Sequence, residues 1–180
     1  MGMTLSLRRA GDEQLQALLD QPEGIHDFLR PPGGRPGFGQ VLSGPPGADG
    51  PMPAEISLDK SWHAIHYLLT GQVWEGEPPA SCLLMGGREI GPIDLGFGPA
   101  RAVLSDEVEA FHGLLSQTDA GALKQRYDPA AMANRGVYPD VIWERESEEA
   151  FEYVRANYEV LRAFVAAAAE EGSGLVIWMT

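Results

Sequence analysis

The C-terminal stretch Ser147–Thr180, SEEAFEYVRANYEVLRAFVAAAAEEGSGLVIWMT, decides the fold. Ser147 and the two glutamates after it are typical of a helix start, and Gly172 of a helix end. The apolar run Leu175–Met179 then predicts a strand buried on both faces at the centre of a small sheet. Within the helix, apolar residues recur at spacings of three and four, as expected for one buried face: Phe151, Val154, Tyr158, Leu161, Val165 and Ala168.

The other end of the chain provides a second strand for that sheet. Apolar Leu5 and Leu7 alternate with polar Thr4 and Ser6, which is the period-2 pattern of a half-buried strand. We expect this strand to pair with the terminal one. Asp12 follows and is placed to cap a short helix. The predicted fold class is α+β, with several helices packed on a small sheet that includes the N-terminal and C-terminal strands.

One segment between these ends is strongly irregular. Residues 31–53 hold four clusters of proline and glycine, a composition that forbids both a helix and a central strand. We therefore predict a long loop insertion, and its lack of groups that fix one conformation favours a mobile insertion over a functional lid. With 180 residues, of which 44% are hydrophobic, residues 1–180 are expected to form one domain.

The best-defined internal helix is predicted over Lys60–Thr70, with Asp59 as its N-cap and Gly71 as its C′ residue. Trp62 and His66 fall on its apolar stripe, which indicates a helix that faces the core. Other predicted elements are a helix opened by Pro78-Pro79 and ended by Gly86-Gly87, an extended segment in 91–104, a helix capped by Ser105, and two helices near 119–127 and after Asp128.

Several short motifs occur in order along most of the chain. They are Met1-Gly2-Met3, the block Leu58–Gly71, Gly86-Gly87, Gly96–Arg101, Arg126-Tyr127-Asp128, Tyr138-Pro139, and the long terminal helix with its strand. Together they resemble the YfbM-like family of small bacterial proteins, a family of unknown function. The resemblance implies a single α+β domain and assigns no activity. Residues 31–53 lie outside it.

A polar group stands out on the predicted helix over residues 60–70. His63 and His66 are three residues apart and share one surface. Two imidazoles can hold a metal, but Asp59 is the strongest third ligand nearby and the His-Glu-x-x-His spacing is absent, so no metal site is predicted. The commoner alternative makes His66 a hydrogen-bonded core residue and His63 a polar contact at the boundary. The candidate ligand-binding residues are Asp59, Trp62, His63, His66, Tyr67 and Arg101.

The sequence carries no catalytic signature, and we predict no catalytic residue and no cofactor. Gly96–Arg101 invites a phosphate-loop interpretation, in which backbone N–H groups surround an anion and Arg101 adds a bidentate contact. Neither glycine-rich nucleotide pattern is present, however, and the alternative is a tight turn with Arg101 paired to an acidic neighbour. Cys82, the one cysteine, lies in an apolar run and is predicted to be a small buried hydrophobe.

Charge limits the partners that the protein can have. The formal net charge is −13, from 26 acidic and 13 basic residues, which disfavours nucleic acid and anionic membrane surfaces and suits a basic protein. The sequence has no signal peptide and no long apolar run, so we expect a cytoplasmic protein. The 11 arginines against 2 lysines are typical of a GC-rich bacterial genome.

Three functional hypotheses remain open at this point. The first is a non-enzymatic binding or regulatory protein with a basic protein partner, for example in the manner of an immunity protein that neutralises a toxin. The second is a small-molecule enzyme or sensor with a pocket around His63, His66 and Arg101. The third is a homo-oligomer that associates through an exposed tryptophan or the terminal strand.

Overall fold

A five-stranded antiparallel sheet lies at the centre of the computed structural model, which describes residues 2–30 and 52–180. The strands are β1 (Leu5–Ala10), β2 (Glu55–Ser57), β3 (Arg88–Glu89), β4 (Arg101–Val103) and β5 (Gly174–Met179). Their order is β2-β1-β5-β4-β3, so the terminal strand is central, as its apolar run predicts. β1 pairs with β5 from Leu5↔Met179 to Ala10↔Gly174, which confirms the predicted pairing of the two terminal strands.

Eight α-helices are present in the described ranges. They are α1 (Asp12–Asp20), α2 (Ile25–Leu29), α3 (Trp62–Thr70), α4 (Cys82–Met85), α5 (Ser105–Gln117), α6 (Ala120–Arg126), α7 (Pro129–Asn134) and α8 (Trp143–Glu170). Short 3-10 turns precede α2 and α8, at Pro22–Gly24 and Asp140–Ile142. The predicted α+β class is confirmed. In residues 2–30 and 52–180, no helix combines the length and the hydrophobicity needed to cross a bilayer.

Both faces of the sheet are covered, because alternate residues of β5 belong to different apolar clusters. Leu175 and Ile177 join the larger cluster, to which α3 and α5 to α8 contribute. Val176 and the partly buried Trp178 join the smaller cluster with residues of α1 and α2. A strand in this position has no solvent-facing side, which explains why its sequence is almost wholly apolar.

The long helix α8 buries the predicted stripe, and a short helical piece that the sequence does not predict precedes its kink at Ser147. Trp143 is fully buried and its indole N–H donates to the carbonyl of Val137 at 2.6 Å, so the helix extends back to this anchor. Ser147, the predicted start, has the non-helical values φ 17° and ψ −82°, and the long uninterrupted part of α8 follows it as predicted. The Tyr127 hydroxyl donates to the carbonyl of Ser147 at this kink.

The three residues predicted as N-caps of α1, α3 and α5 do not occupy the capping positions in the structure. They are Asp12, Asp59 and Ser105. The capping positions of α1, α3 and α5 are occupied by Gly11, Ser61 and Leu104. The prediction for Asp12 was wrong because its carboxylate accepts hydrogen bonds from the backbone N–H and hydroxyl of Ser105, at 2.9 and 2.6 Å. It therefore stabilises the start of α5, which is distant in sequence.

The Pro/Gly-rich loop predicted at 31–53 lies outside the described residues, apart from its last two. The carbonyls of Met52 and Pro53 accept hydrogen bonds from the guanidinium of Arg9 at 2.9 and 3.1 Å. These contacts place the chain that leads into β2 beside β1.

Candidate functional site

Helix α3 carries the two histidines that the sequence singles out, and both bind the segment that follows the helix. Gly71 ends α3 with φ +73°, a conformation that glycine adopts without strain, and the chain turns back. We call residues 72–77 the Trp74 loop. Nε2 of His63 lies 2.6 Å from the carbonyl oxygen of Val73, and Nε2 of His66 lies 3.0 Å from that of Glu75. Two side chains of one helix thus hold one loop.

The contacts of His63 fix its protonation. Its Nδ1 accepts a hydrogen bond from the backbone N–H of Tyr138 at 3.0 Å, so Nε2 must carry the proton that is donated to Val73. Burial lowers the pKa of His63, and the hydrogen bond to Val73 opposes this shift. His63 is therefore a neutral, fully buried residue with both ring nitrogens occupied.

His66 is also neutral, for a related reason. The side chain is fully buried, and burial lowers its pKa to about 4 although the hydrogen bond to the Glu75 carbonyl favours the charged form. Its Nδ1 is buried and has no hydrogen-bond partner among the described residues. A proton added at Nδ1 would find no acceptor there, so His66 is a donor that positions the loop.

An aromatic cluster supports the same loop. Trp62 is fully buried, donates from its indole N–H to the Met3 carbonyl at 3.1 Å, and stacks on His63 with ring centroids 4.8 Å apart. Trp74 contacts the other two rings, with centroids 4.2 Å from His63 and 6.3 Å from Trp62. Trp74 is nevertheless 55% exposed. The buried aromatic residues hold it in place while much of its indole faces solvent.

Arg101, at the start of β4, is engaged by backbone carbonyls. Its guanidinium donates to the carbonyls of Leu83, in α4, and Gly86, directly after it, and to the carbonyl of Cys82, which also accepts the backbone N–H of Gly86. Burial lowers the pKa of Arg101, and the nearby Cys82, Glu89 and Glu107 raise it. The sequence predicts an anion or an acidic partner for Arg101, whereas the structure shows its guanidinium bound to backbone carbonyls at the end of α4.

The turn that precedes Arg101 has its own acceptor. The carboxylate of Asp94 accepts hydrogen bonds from the backbone N–H groups of Gly96 and Gly98, at 2.8 and 2.9 Å. These two hydrogen bonds lower the pKa of Asp94. A carboxylate thus occupies the two donors that the phosphate-loop interpretation would assign to an anion, and the tight-turn alternative describes this segment.

The remaining predicted site residues also make contacts within the fold. Asp59, with φ 46°, accepts a hydrogen bond from the Tyr153 hydroxyl at 2.8 Å and joins the start of α3 to α8. The guanidinium of Arg135 lies over the ring of Tyr67, 5.9 Å from its centroid. The structure thus brings Trp62, His63 and His66 together. Asp59, Tyr67 and Arg101 each bind a different part of the chain.

Two surface features were not predicted from the sequence. The first is Trp74, whose position between Gly71 and two prolines in a polar stretch was the available signal. The second is a cleft of about 240 Å³ between α4 and α5, which we call the Cys82 cleft. It is lined by Pro78, Pro79, Cys82, Gly86, Glu107 and Ala110. In the part of the chain that the structure describes, no group of three or more histidine, cysteine or acidic side chains is placed to hold a metal ion.

Comparisons with known proteins agree on the family and the fold. The family model described as "Domain of unknown function (DUF1877)" matches residues 1–178. Among solved structures, the crystal structure of a protein of unknown function, YfbM from Escherichia coli, is similar with a TM-score of 0.68. The similarity covers 98% of this chain and 99% of that chain at 19% identity, a level that shows a shared fold. A search of the curated proteins gives no match.

Proposed function

Because this chain belongs to the DUF1877 family, to which no function is assigned, its function must be argued from its own residues, and we propose a non-enzymatic protein-binding role. The proposed docking surface centres on Trp74 and the loop that presents it. The observation that carries the proposal is a half-exposed tryptophan fixed in place by buried hydrogen bonds and aromatic stacking.

Such a tryptophan has the properties of an interface anchor. Tryptophan is enriched among the residues that contribute most to protein–protein affinity. All four tryptophans lie in the described part of the chain: Trp62 and Trp143 are fully buried, Trp178 is partly buried, and Trp74 is the exposed one. Because His63 and His66 already fix its loop, binding would cost little additional conformational entropy. A large aromatic surface left in water but held rigid supports a docking function.

Charge indicates the class of partner. Glu75 and Glu77 are exposed on either side of Gly76, directly after Trp74, and the whole chain carries a net charge of −13. A basic protein would meet complementary charge, and an arginine or lysine of that partner can lie over the indole face. A small acidic protein that masks a basic one, as an immunity protein does with a toxin, would use such a surface.

The two other hypotheses find less support in the geometry. A pocket at His63, His66 and Arg101 would need free polar groups, whereas three of the four imidazole nitrogens and the Arg101 guanidinium bind backbone groups. The fourth nitrogen, Nδ1 of His66, is buried. None of these residues lines the Cys82 cleft.

A homo-oligomer through the terminal strand is also disfavoured. β5 pairs with β1 on one side and with β4 on the other, so neither of its edges is free. Association of two copies through Trp74 would bring the acidic residues of both loops together.

The test is affinity capture from the native host with three forms of the full chain. These are the wild type, Trp74→Ala and the control Phe97→Ala, since Phe97 is 52% exposed and lies in a different surface turn. We expect the wild type and Phe97→Ala to retain one stoichiometric basic protein that moderate salt releases, and Trp74→Ala to lose it. The proposal fails if no stoichiometric partner is captured, or if Trp74→Ala retains the partner as well as Phe97→Ala does.

A further inference from the structure

The Cys82 cleft lies next to the Trp74 loop along the chain. Pro78, which lines the cleft, is four residues from Trp74, so their Cα atoms are at most about 14 Å apart. A protein interface of ordinary size covers about 800 Å² on each partner, enough to include both features. The cleft is therefore within reach of a partner that docks on Trp74, and the inference below rests on that proposed function.

The size of the cleft suits a side chain. At about 240 Å³ it is smaller than the roughly 300–1,000 Å³ of pockets that enclose a drug-sized ligand. Its walls are mostly apolar and come from Pro78, Pro79, Ala110 and Cys82. Burial raises the pKa of the Cys82 thiol to about 12, so the thiol contributes a neutral surface. An extended aliphatic stem fits walls of this kind.

The polar group at the cleft is an acid. Glu107 is exposed on α5, and its carboxylate accepts hydrogen bonds from the backbone N–H groups of Gly87 and Leu104, both at 3.1 Å. These bonds fix the carboxylate and leave acceptor capacity on both oxygens. The Arg101 cation lies nearby and binds carbonyls of α4, while Glu89 adds a second negative charge close to Arg101. Glu107 is the one charged residue among those that line the cleft.

We propose that the Cys82 cleft binds one lysine or arginine side chain of the basic partner. The alkyl stem lies against the prolines and Ala110, and the cationic head reaches the Glu107 carboxylate. Long basic side chains combine these two properties, since their stems bury well on apolar surface while their charges stay near water. The protein would then recognise its partner at two sites, the indole of Trp74 and this acidic cleft.

A small probe tests the cleft without the partner. The isotope-labelled full chain is titrated with n-butylguanidinium, and with n-butylurea as the neutral counterpart, while the amide resonances of Gly86 and Gly87 are followed by NMR. We expect saturable shifts with a midpoint on the order of millimolar for the cation. The neutral compound should bind about threefold more weakly or worse, because it cannot pair with Glu107.

Two variants localise the binding. Ala110 is exposed and lines the cleft, so Ala110→Phe should fill it and abolish the shifts. Gln117→Phe places the same ring two turns further along α5, at another exposed position, and should leave the titration unchanged. The absence of saturable shifts at Gly86 and Gly87, equal affinity for the neutral compound, or unchanged binding in Ala110→Phe would each overturn the inference.

The result is separable from the proposed function. Trp74→Ala should leave binding of n-butylguanidinium unchanged while it abolishes partner capture. If the probe does not bind but capture depends on Trp74, the cleft inference fails and the protein-binding proposal stands. If the probe binds as expected but no partner is captured, the protein-binding proposal fails while the preference of the cleft for alkyl cations stands.

Discussion

Acid should destabilise the fold through His66. Burial lowers the pKa of this fully buried imidazole to about 4 from 6.5, so the unfolded chain binds its proton more tightly than the folded chain does. Stability is therefore full above pH 6.5 and is lost as the pH falls toward 4. At pH 5 the His66 side chain is protonated in nearly every unfolded molecule and in about a tenth of the folded molecules. The free energy of unfolding should then be lower than at pH 7 by about 2 kcal/mol from this residue alone.

The assay is urea unfolding at pH 7 and pH 5, with matched variants that isolate one residue. In His66→Gln the amide can still donate to the Glu75 carbonyl, but it does not titrate. This variant should lose about 2 kcal/mol less between the two pH values than the wild type does. The control is His26→Gln, at an exposed position on α2, which should show the wild-type loss. Equal losses in the wild type and His66→Gln would refute the assignment of His66 as a buried neutral donor.

Four further predictions concern single residues. Because the pKa of Cys82 is raised from 9.0 to about 12, the native thiol should contain about a thousandfold less thiolate at pH 8 than an ordinary one, and Ellman's reagent should label it quickly only after denaturation. Gly87→Ala should cost about 2 kcal/mol or more in thermal unfolding, since φ is +76° and the new Cβ would lie 2.2 Å from the Ala102 carbonyl oxygen. Gly113→Ala should instead stabilise the fold by about 0.5–1 kcal/mol, because Gly113 lies within α5 and an added Cβ would have no atom within 4 Å. Asp12→Ala should cost about 1 kcal/mol by denaturant titration through the lost hydrogen bonds to Ser105, and an unchanged midpoint would contradict that role.

Much of the fold was predictable because its signals are local. The apolar stripe of α8 predicts a buried helix from the sequence of that helix alone, and the apolar run Leu175–Met179 likewise predicts a central strand. Both predictions are confirmed. Strand β3 escaped prediction because its two residues, Arg88 and Glu89, form a strand only by pairing with β4. The short helical piece before the kink at Ser147 was not predicted either, since Trp143 is anchored there by a hydrogen bond to Val137 that periodicity does not reveal.

The candidate site was located from the sequence, but its partners were not. His63 and His66 stood out by their spacing on one helix, and the structure brings them together with Trp62. Their hydrogen-bond acceptors belong to the Trp74 loop, which turns back on α3, and no spacing rule predicts that contact. The Cys82 cleft lies between α4 and α5, so its lining depends on how two helices that are separated in sequence pack together.

The protein-binding account is tested most directly by the affinity of the captured basic partner for Trp74→Ala, measured by titration calorimetry beside the wild type and Phe97→Ala. An anchoring tryptophan predicts a loss of about 30-fold or more in Trp74→Ala, equivalent to about 2 kcal/mol, while Phe97→Ala stays within about threefold of the wild type. Equal affinities in Trp74→Ala and the wild type would contradict the assignment of Trp74 as the centre of the docking surface.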